Sequence, residues 1–168
     1  MNLVSKPVSR KTVGSITRII RECLEIGPKE AFPIVHFMEL GLYQMDNNYN
    51  FEVLSVEDMP GEYGRTNPEQ CKIQIREDVY NGALQGNPRD LFTMAHELGH
   101  YFMHNKTSIE YARGSVPIYR QPEWQANTFA AELLAPSEEL RGMNVDDIMS
   151  IYNVSRRVAN IQLKNAYK

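Results

Sequence analysis

Residues 93–104 read TMAHELGHYFMH, and the fold hangs on this stretch. It holds three of the chain's four histidines, His96, His100 and His104, spaced four apart, with Glu97 directly after the first. On a helix, residues four apart share a face and lie about 6 Å apart along the axis. Two imidazoles at that spacing converge on one zinc ion, whose Zn–N bonds are about 2.0–2.1 Å. Glu97 sits one step round the helix, where it reaches a water at the metal without displacing a ligand. A carboxylate there takes the water's proton as general base.

The flanks of the motif agree with a helix. In GNPRD just upstream, Asn87 is a capping residue, Pro88 suits the first helical position and Asp90 falls in the positive first turn. The helix is predicted to run to about His104. Leu91, Ala95, Leu98 and Phe102 form the stripe that packs inward. Gly99 costs about 1 kcal/mol relative to Ala, so it is expected to admit a neighbouring backbone or a substrate. His104 stands about 12 Å along the axis from His96, too far to share one ion on a straight helix. It is expected to support the site or to contact substrate. The extended metzincin pattern is absent, since Met103 stands where it needs Gly. His36 is read as a hydrogen-bonded histidine on an earlier helix.

A catalytic zinc needs a third protein ligand and an open position. Glu110, Glu123, Asn127 and Glu132 are the downstream candidates. PEWQANTFAAELL is a helix that Pro136 stops; on it Ala126, Asn127 and Ala130 share the face of Glu123, and the small alanines permit close approach. Glu132 points about 180° away from Glu123. Glu110 lies in a connection where nothing fixes it. Glu123 is therefore the expected third ligand, with Asn127 orienting it or a ligand imidazole. Tyr111, Arg113, Tyr119 and Arg120 are candidates to stabilise an oxyanion.

Working outward, SITRIIRECLEI is a helix ended by Gly27-Pro28, and a second helix covers Pro33 to Leu40, closed by Gly41. FEVLSVED and CKIQIRED are read as antiparallel strands, with a third, irregular strand around Tyr63. After Pro136, short helical stretches near Ser137–Arg141 and Val145–Tyr152 precede a last helix from about Ser155. That tail has helix-turn-helix periodicity, with Ile148, Ile151, Val154, Val158, Ile161 and Leu163 apolar and Arg156-Arg157 at the start of its last helix. The favoured reading is a helical extension packed on the rest, or gripping a partner, rather than a DNA reader. The expected division is residues 1–136 as catalytic domain and 137–168 as extension.

Composition sets limits. The 168 residues are 42% hydrophobic and carry a net charge of −3, so no global basic field draws the chain to nucleic acid or an anionic membrane. Two cysteines, far apart, make neither a zinc knuckle nor a redox pair. No apolar run is long enough to span a membrane, and MNLVSKPVSRKTVGS lacks the apolar core of a secretory signal. A soluble cytoplasmic protein is expected.

HELGHYFMH followed downstream by EWQANTFAAELLAP resembles the ImmA/IrrE family of bacterial metallopeptidases, and the likeness covers roughly residues 15 to 136. The resemblance implies a gluzincin-like α+β domain, mostly helical, with a small antiparallel or mixed sheet. It implies His96, His100 and Glu123 as zinc ligands and Glu97 as the catalytic glutamate. Family members cleave helix-turn-helix transcriptional repressors, relieving repression of mobile elements or stress genes, so the implied partner is such a repressor. Ala135 departs from the Met often found there. The rival reading is a DNA- or protein-binding regulator with a structural or weakly active zinc site.

Overall fold

The computed structural model describes residues 2–105 and 108–168. Two crossing helices form its centre. One is α5 (Pro88–Met103), begun as the sequence predicts by Asn87, whose side chain accepts from Arg89 N, and by Pro88. The other is α6 (Pro122–Leu134), in which Ala126, Phe129, Ala130 and Leu133 are wholly buried. Gly99 is where the two meet. A methyl group there would lie 3.1 Å from Ala126 Cα, from Ala126 O and from Phe129 Cβ. The bare backbone at Gly99 therefore lets α6 approach, as anticipated. Phe102 stacks on Phe129 with centroids 5.9 Å apart. Met94, outside the predicted stripe, is as fully buried as Ala95 and Leu98.

Helix α1 (Arg10–Cys23), capped by Ser9, covers the opposite side of α6 and begins earlier than its apolar pattern suggests. Arg21 on it is only 3% exposed and donates to the carbonyls of Leu133, Gly27 and Glu30 at 2.8, 2.7 and 2.5 Å. One buried cation thus ties together α1, the loop after it and the end of α6. The next helical segment does not stop at Gly41. It runs as α2 (Ile34–His36), a π turn (Phe37–Gly41) and α3 (Leu42–Met45). Gly41 serves packing there, since a Cβ would stand 2.8 Å from the Phe37 ring. His36 is exposed on this segment.

The sheet is mixed, in the order β2 (Asn50–Leu54), β4 (Lys72–Arg76), β3 (Gly64–Asn67). β2 and β4, read from the sequence as antiparallel, are parallel, with Phe51 opposite Ile73 and Val53 opposite Ile75. The hairpin is instead β3–β4, antiparallel, turned by a 3-10 turn over Pro68–Gln70 and a left-handed Cys71. Because β3 runs opposite to β2, its hairpin partner β4 runs parallel to β2. The third strand expected near Tyr63 is β3, on the sheet's edge. Ile73 and Ile75 face the core. A helix not foreseen, α4 (Glu77–Leu84), links the sheet to α5. A Cβ at its Gly82 would strike the Asp90 carboxylate.

A separate two-stranded ribbon pairs β1 (Asn2–Ser5) antiparallel with β5 (Ile109–Ala112). After α6, a 3-10 turn (Ser137–Glu139) leads to α7 (Val145–Tyr152) and α8 (Arg156–Asn165). Asn144 caps α7, left-handed Asn153 ends it, and Ser155 caps α8. Ile148, Tyr152, Val154 and Ala159 enter the same apolar core as α5 and α6. Gln162 donates to Ala135 O at 2.8 Å and Tyr152 to Pro28 O at 2.8 Å. Ile161 stays exposed. Among the described residues, no helix is long and apolar enough to cross a membrane.

Candidate metal centre

Successive turns of α5 bring His96 and His100 together, with their Nε2 atoms 3.0 Å apart. From the first turn of α6, Glu123 reaches across. Its Oε2 lies 3.2 Å from His96 Nε2 and its Oε1 3.1 Å from His100 Nε2. Such separations match a shared cation: the edge of a tetrahedron with 2.0–2.1 Å bonds is about 3.3 Å. Two imidazoles and one carboxylate, with Glu123 largely exposed, are also the donor set of an open zinc site. Glu110 is turned away, paired with Arg120 at 3.0 Å. Glu132 is buried on the far side of α6, where it accepts from Ser137 N at 3.1 Å and Ser137 Oγ at 2.8 Å.

Each imidazole is held from behind. Asn127 Oδ1 lies 2.8 Å from His96 Nδ1, the bracing expected of that residue. His104 Nδ1 lies 2.8 Å from His100 Nδ1. His104, four residues on, shares the face of His100, and the chain leaves the helix at that residue (φ −122°, ψ 97°). Burial, and then the neighbouring histidines, depress the pKa of His100 to about 3; burial also lowers that of His104.

Glu97 is 8% exposed and faces the edge strand. Thr66 Oγ1 lies 2.6 Å from its Oε2 and 3.0 Å from its backbone carbonyl. Gly64 must be bare, since a Cβ there would stand 2.7 Å from Glu97 Cγ. Burial raises the Glu97 pKa, and the Thr66 hydrogen bond partly offsets that rise. Thr66 and Gly64 could not be singled out in the sequence, because GRTN carries no apolar alternation. Around these groups opens a cleft of about 710 Å³, walled by β3 on one side and by Leu3 and Tyr111 of the ribbon on another. Of the four oxyanion candidates, Tyr111 lines the cleft; Arg120 is bound to Ser5 O and Glu110.

A His-Glu-x-x-His helix beside an edge strand, with a carboxylate from a second helix, defines a zincin-like α+β domain. The chain belongs to the Peptidase_M78 family: the model of the IrrE N-terminal-like domain matches residues 48–164, more than half its length. That family is one of zinc metallopeptidases, in agreement with the likeness seen in the two sequence motifs. No curated protein matches the chain.

Proposed function

We propose that this protein is a zinc-dependent endopeptidase whose metal is held by His96, His100 and Glu123 and whose general base is Glu97. The reading is carried by the convergence of three ligand atoms within 4.8 Å of one another, beside a buried carboxylate that is not among them. When bound, zinc supplies a Lewis acid and lowers the pKa of a water in its open position to about 7. The chain's own residues do the rest. Glu97 takes a proton from the attacking water and passes it to the leaving amine nitrogen. Its raised pKa suits both halves of that task, and Thr66 fixes the carboxylate that carries the proton. The unpaired edge of β3 offers backbone groups to an extended substrate segment, which would lie along the cleft as an added strand. Tyr111, which lines the opposite wall, is our candidate to donate to the carbonyl oxygen of such a segment.

The substrate we propose is a helix-turn-helix transcriptional repressor, on the strength of the family likeness, with action in the cytoplasm. Its test is incubation of the zinc-loaded protein with candidate repressors and mass analysis of fragments. Glu97→Gln should retain one zinc per chain and lose cleavage by at least about 100-fold. Cleavage at the wild-type rate by that variant would remove Glu97 from the mechanism, whereas no cleavage of any candidate by the zinc-loaded wild type would favour the regulator reading, with the metal structural.

A further inference from the structure

Gln125 takes no part in the chemistry above, yet it is 1% exposed and makes three polar contacts. Its Nε2 donates to Lys6 O and to Tyr119 O, both at 2.8 Å. Those two bonds use both amide hydrogens and fix the orientation, because a flipped amide would set its oxygen against two carbonyl oxygens. The Oε1 atom therefore faces His104 Nε2, 2.9 Å away, and can only accept. His104 must carry its hydrogen on Nε2. A neutral ring so protonated has its lone pair on Nδ1, which faces His100 Nδ1 at 2.8 Å. His100 must then donate from Nδ1, which leaves a lone pair on its Nε2, aimed at Glu123 and His96.

We infer that Gln125 and His104 are positioning residues: a relay starting at two backbone carbonyls holds His100 in the one tautomer able to ligate through Nε2. The inference deepens the proposed metal site and rests on it for its consequence, though the tautomers themselves do not require the metal. Backbone carbonyls have no alternative donor state, so the far end of the relay cannot reverse. Lys6 directly follows β1, so one of the two anchoring carbonyls lies outside the family-matched stretch. His96 is held differently, with Asn127 Oδ1 at its ring Nδ1.

Two measurements test the relay. In zinc-free, ¹⁵N-histidine-labelled protein, long-range ¹H–¹⁵N correlation should show His104 protonated on Nε2 and His100 on Nδ1. The opposite tautomer at either ring overturns the inference. Zinc affinity, read by competition with a chromophoric chelator, should fall by about 10–100-fold in His104→Ala and in Gln125→Leu. His104→Asn, whose Oδ1 replaces the Nδ1 acceptor, should recover to within roughly threefold of wild type. Unchanged affinity in a folded His104→Ala, or no rescue by a folded His104→Asn, overturns it as well. A wild-type protein that takes up no zinc sinks the metal-site reading instead, and the tautomers still decide the relay.

Discussion

The Thr66 hydroxyl lies 2.6 Å from Glu97 Oε2, so one hydrogen bond joins the sheet's edge strand to the proposed general base. Thr66 is the side-chain donor that holds the Glu97 pKa down against its burial. Thr66→Val keeps the shape and removes the donor. The Glu97 pKa then rises further, so a larger share of the enzyme is protonated at a given pH. The acid limb of the kcat/KM profile should move to higher pH, and kcat/KM near neutrality should fall roughly tenfold, the worth of a hydrogen bond to a charged group. A profile superposable on wild type would refute the role.

Gly99→Ala tests the helix crossing. The new methyl meets the backbone of Ala126 at 3.1 Å, and backbone cannot rotate away. Helix propensity returns about 1 kcal/mol, while overpacking costs about 1–3 kcal/mol. A net loss of up to about 2 kcal/mol is expected in urea denaturation. Zinc affinity should weaken too, since the same crossing brings Glu123 to the histidines.

Glu132→Ala should separate stability from metal binding. The buried carboxylate accepts two hydrogen bonds from Ser137 and lies 3.5 Å from Arg10 Nη1. Its removal strands those donors at a cost of about 2–4 kcal/mol. Zinc affinity of the folded fraction should not change, because Glu123 projects from the other side of α6.

Zinc-free protein should lose stability as pH falls below about 6.5. His100, with its pKa depressed to about 3, and His104, also depressed, stay neutral in the native state while the unfolded chain protonates both. Below the unfolded pKa the unfolded state thus binds more protons, and stability drops by up to about 1.4 kcal/mol per pH unit for each. Glu97 acts in the opposite sense: its raised pKa lets the native state take up a proton first. Glu97→Gln removes that compensation. Its urea midpoint should fall more steeply than wild type as pH drops from about 6.5 toward about 4.5; equal slopes would contradict this balance.

What the sequence made legible was local. The cap at Asn87, the i, i+4 histidines and the opposed directions of Glu123 and Glu132 all follow from one helix's geometry, and the structure has each of them. Pairings between distant segments were not legible. β2 and β4 look alike as strands, and their relative direction depends on a polar strand, GRTN, with no periodic signal. The β1–β5 ribbon joins segments over 100 residues apart. Gly41 reads as the end of a helix, yet it is bare because the Phe37 ring presses on it, and Gly82, which the sequence does not single out, is bare against the Asp90 carboxylate. Gln125 carries no signal in the sequence; its contacts appear only once Lys6 and Tyr119 are placed beside it.

The knot made by Arg21 bears on how far the chain can be trimmed. A fragment spanning only residues 48–164 would leave the carbonyl of Leu133 without its cation and α6 without α1 packed on it, and would lose the strand that leads into Lys6. A truncated chain that begins at residue 48 should therefore yield aggregating material rather than a smaller working unit. The shortest autonomous piece should begin upstream of the matched region.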